Sequence, residues 1–174
     1  LSQRRRTPPR DDTMKQLVEE LYLTNRGFIT DDYEQCLDYI DTHQVNLELH
    51  AYESGTEIWD SWVVPQKWSV NEAYVAADGD RIIDYDDHPL HLISYSEPFE
   101  VTVSRSELLE HVHTHPELPD AIPWEFRQNY RPWDSEWGFC ARQQTVDALN
   151  SETYYVHIDT EFEDGEMLVG EHHI

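Results

Sequence analysis

Apolar positions along the chain change their period near residue 45, and the structure they predict changes with it. Leu17, Val18, Leu21 and Tyr22 recur at three- and four-residue steps, one face of a helix over about 14–23. Gly27 suits a stop after it. Thr30-Asp31-Asp32 supplies a cap and early acids for a second helix to about residue 42, with Tyr33, Cys36, Leu37 and Ile40 as its apolar face. Beyond Val45 the period falls to two: Leu47 and Leu49 alternate with Glu48 and His50. Ser54-Gly55 predicts a turn, and the aromatic and β-branched run 58–64, closed by Pro65, predicts a strand. Runs 70–76 and 81–83 flank Asp78-Gly79, a hairpin signal. Further strands are expected at 91–95 and 99–103. Ser104-x-x-Glu107 then opens a short helix carrying Leu108, Leu109 and Val112. Residues 116–136, rich in proline and tryptophan, read as an ordered loop. A strand at 137–141, a short helix at 143–149, a strand at 153–162 and another from 167 complete the pattern. The fold class is α+β: N-terminal helices followed by a β-rich unit.

Composition narrows this picture. The chain has 174 residues, of which 39% are hydrophobic and 12% aromatic, enough for a core. No apolar run approaches the ~18 residues of a membrane span. Cys36 and Cys140 make no disulfide framework and read as reduced, buried thiols of a cytoplasmic protein. Acids outnumber bases 36 to 12, for a net charge of −24. Nucleic acid is a poor partner for such a surface. Carboxylates spread along the whole chain suit a protein of concentrated salt, where the Debye length falls to roughly 3 Å and self-repulsion is screened. Residues 1–13 hold four of the ten arginines and two prolines, and read as a disordered extension ahead of Met14.

The candidate chemistry is concentrated in one tract, His111-Val112-His113-Thr114-His115-Pro116-Glu117, followed by Asp120 and Trp124. Histidines two apart on an extended chain share a face and can ligate a metal, with Glu117 or Asp120 as a third ligand. If the preceding helix runs on, the rings diverge and the histidines are structural. His113-Thr114-His115-Pro116 resembles the JAMM metallo-isopeptidase motif. At the positions of that motif's serine and third ligand stand Trp124 and Arg127, and arginine does not ligate zinc. Cys140, after Trp137-Gly138-Phe139, reads as core rather than as a nucleophile.

An ordered series of motifs says more than any one of them. Leu21-Tyr22 and Asn25-Arg26 precede Glu53-Ser54-Gly55-Thr56-Glu57-Ile58-Trp59. Val64-Pro65-Gln66-Lys67-Trp68-Ser69-Val70-Asn71-Glu72-Ala73-Tyr74, His88-Pro89-Leu90-His91, the tract from His113 to Pro123, and Trp137-Gly138-Phe139-Cys140 follow. This series resembles the front half of the aminopeptidase-like proteins of the zinc exopeptidase superfamily, and with the acidity, their halophilic archaeal type. The resemblance implies a peptidase-type α/β domain starting at 14–62, interrupted by a β-rich insertion of unknown role at 63–155 and re-entered at 156–174. It also implies zinc in the full-length protein, bound by residues beyond this chain, and a peptide-like or amino-acyl substrate. Zinc there would activate a water for hydrolysis. No position here matches those ligands. The expectation is therefore an N-terminal fragment, inactive alone, with no membrane partner and no catalytic or metal residue of its own. His113, His115, Glu117, Asp120 and Trp124 are the substrate-cleft candidates, and His113 and His115 the only metal candidates. The rival expectation is a non-catalytic module that binds carbohydrate or peptide by stacking on Trp124, Trp133 or Trp137.

Overall fold

The computed structural model describes residues 11–125, 131 and 136–173. Helix α1 (Asp11–Leu21) begins three residues ahead of the expected Met14, inside the segment read as an extension; residues 1–10 lie outside the described residues. Helix α2 (Asp31–His43) starts where its cap predicts. Thr30 is in extended backbone and its Oγ1 accepts the Tyr33 N–H at 3.2 Å, while Asp31, Asp32 and Glu34 fill the first turn. Cys36 and Leu37 are its buried face.

The main sheet has four antiparallel strands in the order β5 (Asp80–Asp84), β4 (Lys67–Ala77), β9 (Thr153–Glu163) and β6 (Phe99–Ser104). Its inner face carries Trp68, Ala73, Val75, Ile83, Val103, Tyr154, Val156 and Ile158, all buried. Leu92, Leu108, Val112, Phe139 and Leu149 complete this core. Each such Val, Leu or Ile contributes about 1.5–3 kcal/mol by leaving water. β4 begins three residues before the predicted strand. A register shift between Val70 and Glu72 leaves Asn71 exposed and moves the inward positions from even to odd numbers. The alternation of Trp68 and Val70 is therefore out of phase with that of Ala73 and Val75, which hides the strand's first turn of pattern. The β4–β5 turn is as expected: Asp78 and Gly79 take φ of 55° and 91°.

A second pair, β1 (Glu48–Glu53) with β10 (Glu166–Glu171), runs antiparallel from Glu48 opposite Glu171 to Glu53 opposite Glu166. The last strand thus pairs with the first strand after the helices. Gly170 sits against α2: a Cβ there would lie 3.4 Å from Leu37 Cδ2. The other face of the ribbon leaves Tyr52 and Val169 exposed. Ser54 joins the two sheets. Its Oγ accepts the Gly165 N–H at 3.0 Å and lies 2.9 Å from Pro65 O.

Two strand expectations are corrected. Residues 58–64 form a hairpin of β2 (Glu57–Ile58) and β3 (Trp62–Val63) instead of one strand. Trp59 and Asp60 occupy its turn with φ of 52° and 54°, and Trp59 stands in solvent. Residues 91–95 are not a strand either. His88 Nδ1 accepts the Leu90 N–H at 3.1 Å and Pro89 opens a 3-10 turn, Pro89–His91, while Tyr95 takes a φ of 67°. Only Leu92 bridges to Phe139. The expected domain limit between 155 and 156 falls inside β9, which pairs with β4 over residues 155–163 and with β6 over 153–158. α2 and the residues just before it are tied to the β-rich unit. Ile29 N–H donates to Tyr95 Oη at 3.1 Å, Trp68 N–H to Ile29 O at 3.0 Å, and Lys67 Nζ lies 2.6 Å from Asp31.

Candidate functional site

The motif series converges in space. Helix α3 (Arg105–Glu110) is capped by Ser104, whose Oγ accepts the Glu107 N–H at 3.2 Å, and ends before the histidine tract. The chain then turns into β7 (Val112–His113), which lies parallel to β8 (Phe139–Cys140). Gly138 makes this possible. A Cβ there would stand 2.7 Å from Ile93 Cδ1 and 3.0 Å from His111 O, closer than packed atoms tolerate. His91 Nδ1 lies 2.7 Å from Cys140 O, so the His88–His91 motif is fixed against the same strand.

Beside β8 a cleft of about 380 Å³ opens between the α1–α2 connection and the β-rich unit. Thr24, Asn25 and Arg26 form one wall, Pro89, Leu90, Leu92, Ile93 and Ser94 the floor, and Trp124, Glu125 and Cys140 the other side. Arg26 Nη1 donates to Leu21 O at 2.6 Å, which fixes the guanidinium at the end of α1. A second cleft of about 240 Å³ shares Ile93 and Glu125 with the first and adds Glu110, His111, His113, Glu136 and Trp137. The two adjoin at Ile93 and Glu125; the larger is mostly apolar and the smaller is rimmed by acids, and together they make a groove of a size suited to a small ligand.

The candidate residues divide. Trp124 lines the larger cleft, more than half exposed, and His113 lines the smaller. His115 belongs to a turn: its Nδ1 accepts the Glu117 and Leu118 N–H groups at 3.2 and 3.1 Å. Glu117 and Asp120 are exposed and line neither cleft. Among the described residues no three His, Cys, Asp or Glu side chains are grouped to hold a metal. Trp137 stacks with Phe99 at 4.4 Å and His111 at 4.0 Å, and its ring is part of the packing. Trp133 lies outside the described residues. Burial pushes the Cys140 thiol up to about 12, which removes it as a nucleophile at neutral pH. Burial, His91 and Arg142 hold His88 below the usual imidazole range.

Sequence reasoning passed over Glu110, Glu125 and Glu136 because acids are everywhere in this chain. Asn25-Arg26 stood in the motif series, but nothing local marked it as cleft wall. The only signal was the order of motifs, since residues distant in sequence that recur together in one family pattern tend to meet.

The structure therefore defines an α+β chain with a ligand-sized groove and, among the described residues, no helix long and apolar enough to cross a membrane. Residues 67–161, more than half of the chain, match the family described as a domain of unknown function, DUF2172, and the chain belongs to that family. A relative from Clostridium acetobutylicum is 36% identical over 159 residues, 91% of this chain and 35% of the relative. Its name describes a polysaccharide biosynthesis protein with an aminopeptidase-like domain. A crystal structure of a protein from the same organism, named as a peptidase, superposes with a TM-score of 0.78 at 34% identity, covering 91% of this chain and 36% of the other. The chain thus spans about a third of the length of the relatives it matches. The matched relative is clostridial and lends no support to a halophilic archaeal origin, which rests on charge alone.

Proposed function

We propose that this chain is the N-terminal part of a cytoplasmic, zinc-dependent aminopeptidase-like hydrolase, and that its groove forms one side of the substrate cleft. The carrying observation is that Asn25-Arg26, the Pro89–His91 turn, Trp124 and Cys140 meet at one ligand-sized cleft in a chain about a third as long as relatives named for a peptidase or an aminopeptidase-like domain. In this reading zinc is held by residues of the longer protein, outside this chain; among the described residues no three potential ligands are grouped. The carboxylates of Glu110, Glu125 and Glu136 around the smaller cleft favour a substrate with a positive amine, such as a peptide-like or amino-acyl compound. His113, lining that cleft, and Trp124 are the expected contacts, and in this reading the catalytic residues lie in the longer protein.

The test is hydrolysis of aminoacyl anilides. The longer protein should turn them over and lose activity to a chelator, and Trp124→Ala or Glu136→Gln should raise KM. Metal-dependent turnover by the 174-residue chain alone, lost in a His113→Ala, His115→Ala variant, would place the active centre in this chain and overturn the reading. The net charge of −24 further supports a protein that works in concentrated salt. Its melting temperature should rise as KCl goes from low to molar concentration; a flat or falling trend contradicts this.

A further inference from the structure

His111 lines the smaller cleft with its backbone and one ring nitrogen already engaged. Its backbone N–H donates to Leu108 O at 3.0 Å, and its carbonyl accepts the Phe139 N–H at 2.8 Å. Gly138 lets that carbonyl approach, since a Cβ there would stand 3.0 Å from it. The imidazole stacks on Trp137, with centroids 4.0 Å apart and planes 15° from parallel, and its Nδ1 lies 3.0 Å from Trp137 O. We propose, resting on the peptidase-like reading of the groove, that His111 is the residue that reads the substrate's amine and that it selects a primary ammonium group over a methylated one.

The bond to Trp137 O sets the chemistry. A carbonyl oxygen only accepts, so Nδ1 carries the proton and Nε2 carries a lone pair. Among the described residues no hydrogen bond reaches Nε2. A fixed acceptor refuses a carboxylate or a carbonyl and takes an N–H or O–H group. Glu110, Glu125 and Glu136 line the same cleft, and their field favours a donor that is positive. Acids alone would attract any cation; the lone pair on Nε2 is what tells an ammonium N–H from a methyl group. An α-ammonium carries its N–H donors on one compact centre and can meet the imidazole and carboxylates together, and methylation removes those donors. His113 shares the cleft, but its side chain is exposed and, among the described residues, no hydrogen bond fixes its ring. The His111 ring is set before the ligand arrives, so less freedom is lost on binding. The body of the substrate then runs past Ile93, which both clefts share, onto the apolar floor of the larger one.

The test titrates the 15N-labelled 174-residue chain with leucinamide, with its N-trimethylated form and with isocaproamide, its deaminated form. In the free chain the His111 imidazole signals, assigned through its own side chain, should show Nδ1 protonated and Nε2 not. Leucinamide should move the Nε2 signal in a saturable way, together with the amides of His111, His113 and Trp137. The trimethylated and deaminated ligands should each bind about tenfold more weakly, the scale of one lost hydrogen bond to a charged group. His111→Phe keeps a ring to stack on Trp137 and should bring leucinamide and its trimethylated form to the same affinity, whereas a purely steric preference would survive the change. If that variant fails to fold, the wild-type Nε2 signal and the ranking of the three ligands decide. The readout is binding to this chain, which stands apart from hydrolysis by the longer protein, the test of the peptidase reading. A proton on Nε2 in the free chain, no saturable shift with leucinamide, equal binding of the trimethylated ligand by the wild type, or selectivity that persists in His111→Phe overturns the proposal.

Discussion

The four-stranded sheet and the β1–β10 ribbon are both antiparallel and both carry apolar residues, yet they end in opposite environments. In the sheet, Val75 and Val156 are 0% exposed, with Phe139 packed over them in one core. In the ribbon, Leu49 is 49% and Val169 42% exposed, and at the other end of the helical segment Val18 of α1 is 58% and Tyr22, just past it, 53% exposed. The same residue type is worth little where it does not leave water. The β-rich unit therefore carries the stability of the chain, while α1 and the ribbon present apolar surface that suits further packing. In the proposed reading, the longer protein would cover α1 and the ribbon, while the β-rich unit is already packed on its own.

The largest expected effect lies at the core of that contrast. Phe139→Ala should cost about 3–5 kcal/mol and bring the chain close to unfolding, because the cavity opens under both β8 and the main sheet. Val169→Ala, on the open ribbon face, should stay within about 0.5 kcal/mol. Urea denaturation of the two variants measures the difference. Similar costs would mean that the ribbon face is covered in solution and would break the comparison.

α2 connects the two regions, so its cap sharpens the contrast. Thr30→Ala removes the acceptor of the Tyr33 N–H and should cost about 1 kcal/mol. Hydrogen exchange should then speed up in α2 and in the ribbon packed on Leu37, but not in β4 or β9. Uniform loss of protection would show that the regions unfold as one.

The smallest effect concerns His88, which caps the turn at the floor of the groove. Its folded pKa lies below the ordinary 6.5, so it stabilises the fold while neutral. That contribution is complete above about pH 6.5 and is lost as pH falls through the folded value. His88→Asn keeps an acceptor for the Leu90 N–H without the charge. The melting temperature of the wild type should fall relative to His88→Asn on going from pH 7.5 to 5.5 (about one unit either side of the ordinary value). A constant difference would show that His88 carries no such burden.

Much of this contrast was legible in the sequence. Thr30, Asp78-Gly79 and Ser104 announced their cap, hairpin and helix because each acts through its own backbone neighbours. The alternation Tyr154, Val156, Ile158 announced β9, since one sheet face is buried. Other features were illegible for physical reasons. Trp59 and Asp60 take positive φ without glycine, so the hairpin at 58–64 looked like one strand. The offset at Asn71 broke the period of β4. His115 is a turn acceptor because its Nδ1 faces two backbone N–H groups, and spacing alone cannot distinguish that from a ligand. The groove itself depended on elements 100 residues apart, from Asn25 to Glu125, coming together.

The most direct test is amide hydrogen exchange, measured on the 174-residue chain and on a protein extended to the length of its relatives. The account predicts that α1, β1 and β10 exchange quickly in the short chain and become protected in the long one, while β4, β9 and Phe139 are equally protected in both. Equal protection of α1 and the ribbon in the two proteins would contradict it, and the chain would then be a self-contained module.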